Sequence, residues 1–229
     1  MTLFYSNTSN ILSLDESRHC LRTLRKKIND TILVTKGDGI IYRAEIIDIK
    51  NNLITYQNIE IIEQKNKKTH IHIVIAPPKN RTRFEWFLEK VTEVGVDIIS
   101  PVICENSERR KINHDRSEKI IISAMKQSKN SILPIINRPV KFNDIIKKNH
   151  QNTYIAHCYQ EEKKDFKNIF LNDKEIKNIT LFIGPEGDFS KKELNFAIKM
   201  GIIPVTLGES RLRTETAGII GCSMINLLA

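Results

Sequence analysis

No two of the four cysteines, Cys20, Cys104, Cys158 and Cys222, form a CxxC pair, which argues against a zinc cluster or a dithiol centre. Other signatures are missing as well. Without GxxxxGKS or GxxxxGKT there is no phosphate-cradling P-loop, and without GxGxxG an ordinary dinucleotide or Rossmann methyl-donor site is unsupported. A GxSxG nucleophile elbow is absent too. Residues 1–10 lack the basic and apolar regions of a signal peptide, and the apolar tail over 217–229 is shorter than the ~20 residues a membrane span needs. Scattered free thiols, no export signal and no span lead to the expectation of a cytoplasmic protein without a membrane partner. There is no internal repeat and no low-complexity segment. His70 and His72 read as strand surface, with no carboxylate or cysteine cluster beside them. His157-Cys158, flanked by Tyr154-Ile155-Ala156 and Tyr159, reads as core packing within a buried strand over 153–159, not as a nucleophile.

What is abundant is positive charge. The 229 residues carry a formal net charge of +9, with 40% hydrophobic residues. That composition supports a packed core, and the basic excess favours a polyanion, most commonly nucleic acid. The pattern changes near residues 65–69. Before it lie β-branched segments over 31–35, 40–49 and 53–62, with a hairpin signal at Asp38-Gly39, and one helical stretch over 15–27; short strands at this spacing suggest a small β-barrel. After it, strands and helices alternate, as in a parallel sheet covered on both faces. The stripe Phe84, Phe87, Leu88, Val91 and Val94 predicts a helix over 81–94 that stops at Gly95. Asp115 predicts a second helix start, and Ser190 with Glu193 a capping box. The polar run Gln64-Lys65-Asn66-Lys67-Lys68 reads as a linker or turn.

Two tracts carry the chemistry. Residues 181–189 and 207–217 each run from an apolar strand into a glycine-bearing loop and then a helix. Two such strand ends side by side build a small-molecule site largely from main chain. In the first, Ile183, Gly184, Pro185, Glu186 and Gly187 combine close backbone approach with a stiffened turn. In the second, Leu207, Gly208, Leu212, Arg213, Thr214, Thr216 and Ala217 surround Arg213, which precedes a helix start. A cation there is disfavoured by the helix dipole, so a partner is expected, Glu186 or Glu215. The plainer alternative is a capped helix with a surface ion pair worth little.

These tracts resemble those of the RsmE family, SPOUT-superfamily methyltransferases that act on N3 of a uridine in small-subunit ribosomal RNA. The similarity covers essentially the whole chain. It extends to Glu89-Lys90-Val91-Thr92-Glu93-Val94-Gly95-Val96, to Gln127-Ser128 and, less closely, to Arg18-His19-Cys20-Leu21-Arg22. The chain departs from the family at Asp188, often a glycine there, and at Lys129, Asn130 and Ser131, where some members have arginines. The resemblance implies an α/β fold: a C-terminal trefoil-knotted SPOUT methyltransferase domain over 70–229, preceded by a small PUA-like β-barrel RNA-binding domain over 1–69. It also implies S-adenosyl-L-methionine bound by both tracts, a homodimer, and ribosomal RNA within a pre-assembled 30S-type particle as substrate. Uridine N3 must lose a proton before it attacks the donor methyl. Arg213 is expected to stabilise the resulting anion, with Glu186 and Glu215 as proton acceptors or orienters of Arg213. RNA contacts are expected from Arg18, Arg22 and Arg25 along one helical face with His19 in the same segment, from Lys79 and Arg83, and from Arg109 and Arg110. The rival readings are an inactive RNA-binding relative, a methyltransferase with a different RNA target, and a small-molecule enzyme on an ordinary α/β sheet.

Overall fold

A computed structural model describes residues 2–7, 10–67, 69–147, 151–172 and 176–229, which leaves Lys68 of the expected linker outside the described residues. The chain divides into two compact units, Met1–Asn66 with Ile122–Leu133, and Lys67–Ile121 with Pro134–Ala229. Among the described residues, no helix is long and apolar enough to cross a membrane.

In the first unit, β1 (Leu3–Tyr5), β2 (Thr31–Thr35), β3 (Ile40–Lys50) and β4 (Leu53–Gln64) form a four-stranded sheet in that order. β1 runs parallel to β2, and the other neighbours are antiparallel. Asn51 and Asn52, at φ 52° and 61°, make the tight β3–β4 turn that needs two left-handed residues. Inward-facing Ile32, Val34, Ala44, Ile46, Ile54 and Tyr56 bury the core with Phe4 and Leu12. The helix expected over 15–27 is different in the structure. α1 (Leu14–Arg18) widens into a π-helical turn over His19–Thr23, and the chain then leaves helical geometry, with Arg25 at φ 54°. Buried Ser17 explains the anchoring: its hydroxyl donates to the Leu12 carbonyl and accepts the Ile54 amide at 3.1 Å. Arg25 therefore lies past the π turn, and the helical spacing expected to align it with Arg18 and Arg22 does not reach it.

The second unit follows the alternating pattern. Its elements are β5 (Ile71–Ile75), α2 (Arg81–Val94), β6 (Ile98–Ile103), α3 (His114–Gln127, whose last turns belong to the first unit), β7 (Ile135–Ile136), β8 (Val140–Lys141) and α4 (Phe142–Ile145). There follow β9 (Thr153–Ala156), β10 (Lys164–Asp165), α5 (Phe166–Asn172), β11 (Ile179–Ile183), α6 (Lys191–Lys199), β12 (Ile203–Thr206) and α7 (Thr214–Leu228). The sheet order is β10-β12-β9-β11-β5-β6-β7, with β8 also on β6, and every pairing is parallel. One face of the sheet packs Val74, Ile155 and Phe182 against Phe142, Phe189 and Leu194. The other is covered by α2 and α7. Helix α7 lies so close that a Cβ on Gly218 would stand 2.6 Å from the Phe87 ring, and one on Gly221 2.2 Å from Leu181.

Helix ends follow local chemistry. Gly95 closes α2 at φ 108°, and Ser190 and Glu193 form the expected reciprocal box on α6. For α3 the cap differs: Asn113 Oδ1 accepts the Arg116 amide at 3.0 Å, which leaves Asp115 inside the first turn. β9 is shorter than the expected strand, since the Cys158 amide donates to Asp188 Oδ2 at 2.7 Å instead of continuing the ladder.

Candidate active site

The strands β12, β9 and β11 are adjacent and parallel, so their C-terminal ends open at one edge of the sheet. There they enclose a cavity of about 480 Å³ with the turn after β11, the loop after β12 and the first turn of α7. That size suits a nucleoside-sized ligand. Every residue expected to bind the cofactor lines it except Gly187 and Thr216.

The turn after β11 is held from several sides. A Cβ on Gly184 would sit 3.1 Å from the Phe189 ring and 3.2 Å from its amide nitrogen, so a side chain there displaces the turn. The Thr214 hydroxyl donates to the Gly184 carbonyl at 3.0 Å, and Asn106 Nδ2 donates to the carbonyls of Gly187 and Asp188 at 3.2 and 3.1 Å. Asp188 adopts φ 61°, the left-handed region where glycine is at ease and Asp is tolerated. Its carboxylate accepts the Cys158 and Phe189 amides at 2.7 and 2.8 Å. The departure from glycine therefore adds two bonds that glycine cannot make.

The loop after β12 is open main chain. Gly208 has φ 138°, and a Cβ on it would meet no atom within 4 Å, so conformation and not space selects glycine. Among the described residues, no amide of residues 209–213 donates to another backbone group. Residues 209–213 all line the cavity, where a bound ligand would satisfy such donors.

The charged groups are arranged differently from expectation. Arg213 is the N-cap residue of α7 and lines the cavity, but it has no ion pair among the described residues. Glu215 is 4% exposed, lies off the cavity, and stands 3.6 Å from Arg83 Nε of α2; its Oε2 has no hydrogen-bond partner. Positions two apart on a helix do not face each other, which is why Glu215 misses Arg213. Glu186 is exposed on the cavity wall, and its Oε1 accepts the Lys79 amide at 2.9 Å.

Reading the sequence missed the wall supplied by β9. Ala156, His157, Cys158 and Lys163 complete the cavity. Lys163 Nζ donates to the carbonyls of His157 and Tyr159, and the Tyr159 hydroxyl donates to the Phe189 carbonyl at 2.8 Å. No local pattern signals this wall, because it forms only when β9 inserts between β11 and β12. The expectation of a core His-Cys pair holds for His157, which is 7% exposed with both ring nitrogens unpartnered, and fails for Cys158, which is exposed. Desolvation, then the charge of Lys163, holds His157 below its ordinary pKa. Partial desolvation and Asp188 push the Cys158 thiol up, which makes it a poor nucleophile.

The expected RNA-contact residues divide into two sets. In the first unit, Arg18, His19, Arg22 and Arg25 are exposed; among the described residues their one ion pair is a 4.0 Å approach of Arg18 to Asp15, and the His19 ring lies 6.2 Å from that of Phe4. In the second unit the cations are engaged. Lys79 pairs with Glu108 at 2.6 Å and Arg83 with Glu215, while Arg109 donates to the carbonyls of Pro78 and Lys79 at 3.0 Å. Arg109 therefore clamps the loop after β5. Arg110 makes only a 3.4 Å bond to the Glu105 carbonyl.

Residues 65–226 match the family of RNA methyltransferase domains, and residues 12–55 match the RNA methyltransferase PUA domain. The chain is similar to the ribosomal RNA small subunit methyltransferase E of Buchnera aphidicola, at 31% identity over 93% of this chain and 86% of that protein. The corresponding protein of Rickettsia conorii is 28% identical over 95% of this chain and 89% of its own length. Among solved structures, a probable rRNA-methyltransferase from Porphyromonas gingivalis superposes with TM-score 0.89 and 36% identity, covering 100% of this chain and 98% of that one. A ribosomal RNA small subunit methyltransferase E from Neisseria gonorrhoeae, bound to S-adenosyl methionine, gives TM-score 0.82 and 26% identity, with 100% and 98% coverage.

Proposed function

Since the chain belongs to the RNA methyltransferase family of ribosomal RNA small subunit methyltransferase E, we propose that it methylates N3 of a uridine in small-subunit ribosomal RNA, using S-adenosyl-L-methionine. The observation that carries this reading is the cavity at the ends of β9, β11 and β12, where open main chain and an unpaired arginine meet. The residues fit such a donor. Gly184 and Gly208 let backbone approach an adenosine closely, and the free amides of residues 209–213 offer hydrogen bonds to it. When bound, the donor supplies a methyl group already activated by its sulfonium.

The protein's own part is to orient the base and manage charge. Loss of the N3 proton leaves an anion spread over the uracil oxygens, and Arg213 stabilises it from the cavity rim. Glu186 lines the same cavity and takes the proton; Glu215, off the cavity and facing Arg83, fixes α7 against α2. The proposal includes RNA binding by a PUA-like barrel over 1–69 and a trefoil-knotted catalytic domain over 70–229. The knot is supported by the return of the chain from β12 to α7, which packs on β5 and β11, with Thr214 bonded to Gly184. It also includes a homodimer acting in the cytoplasm on a 30S-type particle. The test is digestion and mass spectrometry of ribosomal RNA from cells lacking the protein. One methyluridine should disappear from the small-subunit RNA and return with the purified enzyme and donor. An unchanged modification profile would remove the proposed activity.

A further inference from the structure

A second cavity, of about 580 Å³, opens on the same C-terminal edge of the large sheet, where β6 and β8 end. Only β5 separates β6 from β11, the near strand of the donor cavity, so these two strands stand roughly 10 Å apart along the edge. Three cations from three different segments line it: Arg110, Lys141 and Lys192. None has an acidic partner among the described residues. This separates them from Lys79, Arg81, Arg83 and Arg116 of the same unit, each of which is ion-paired.

Two carboxylates also line the cavity. Glu193 is 8% exposed, and both its oxygens are committed to main chain, accepting the amides of Glu105 and Ser190 at 2.9 Å each. Glu105 is exposed and flanks Arg110. Neither neutralises a cation by direct contact. Lys192 also occupies the first turn of α6, as does Lys191, where the helix dipole works against a positive side chain. Cations placed at an electrostatic disadvantage and left without counter-charge are matched by an anionic ligand.

We infer that this second cavity is a phosphate-binding subsite for the substrate RNA, with Lys141 and Lys192 as its main contacts and Arg110 beside them. It rests on the methyltransferase reading above. A strand whose base enters the donor cavity runs its neighbouring phosphates along the sheet edge into this cavity, which sets the register of the target nucleotide. Lys141 and Lys192 had no joint signal in sequence, since they stand 51 positions apart.

The test is the double variant Lys141→Ala/Lys192→Ala in the full-length protein, with Lys141→Arg/Lys192→Arg as the conservative control. Three quantities are measured: donor binding by calorimetry, affinity for a small-subunit RNA fragment across a salt series, and methylation kinetics. Both side chains are exposed, so thermal unfolding and donor affinity should match the wild type. The salt slope should fall by about 1.4–1.8 for two lost phosphate contacts. KM for RNA should rise several-fold with kcat at saturating RNA retained, and the arginine pair should restore both. An unchanged slope and KM in a variant that binds donor normally would overturn the subsite and leave the activity standing. A wild-type protein that transfers no methyl to ribosomal RNA would remove the activity, while the salt slope would still read the subsite.

Discussion

At the scale of single residues, position relative to the cavity decides role more than residue type. Arg213 and Arg83 are both arginines at helix starts, but one faces open space and the other a buried carboxylate. Replacing Arg213 by alanine removes no contact that the fold uses among the described residues. Donor affinity and melting temperature should therefore stay near wild type, while kcat falls by about 10²–10³, the usual loss when one charge-stabilising donor is deleted. Single-turnover methylation with saturating donor is the measurement. His157 yields a pH prediction. Its native pKa lies below the ordinary value near 6.5, because burial and Lys163 disfavour the imidazolium. The unfolded chain then binds the proton first, so the stability contribution is complete above about pH 6.5 and declines as pH falls through the lower native value. Melting temperature should drop as pH falls below about 6.5, and His157→Leu should flatten that dependence.

At the scale of elements, the large sheet and its covering helices are built from tight contacts that leave no slack. Gly218 of α7 meets Phe87 and Ile75, residues whose own positions are set by α2 and β5. A Gly218→Ala change has a favourable helix propensity, yet the added methyl would sit 2.6 Å from an aromatic carbon in a fully packed layer. Overpacking of this kind costs about 1–3 kcal/mol, more than the ~1 kcal/mol of propensity returned. Denaturant unfolding should show the loss. Donor affinity should fall with it, because α7 carries Thr214 against Gly184. In the smaller sheet, α1 differs: its buried Ser17 is satisfied by Leu12 and Ile54, both outside the helix, and the helix widens into the π turn after Arg18.

Taken as a whole, the molecule joins a +9 net charge to a donor cavity in which cations and carboxylates are mixed. Binding of RNA should therefore weaken steeply with salt, while binding of the small donor should hardly respond. Arg22 and Arg25 are exposed and unpaired among the described residues, on opposite sides of the end of the π turn. Replacing both by alanine should lower the salt slope for RNA by about 1.4–1.8 without altering donor affinity. Equal slopes for variant and wild type would make this basic segment a solvated surface.

The amino-acid sequence by itself determined the change from a β-rich front to an alternating α/β remainder, the span of α2, the capping of α6 and the two glycine tracts. Each of these is written in short-range terms, through periodicity, turn residues and caps that act within a few positions. Only the tertiary structure decided that β9 supplies a third wall, that Glu215 turns to Arg83 and not to Arg213, and that Arg109 is a clamp. It likewise assembled Lys141 and Lys192 beside Arg110. These are consequences of strand order, and a parallel sheet brings together segments far apart in sequence through helical crossovers that leave no local trace of which strand will become the neighbour.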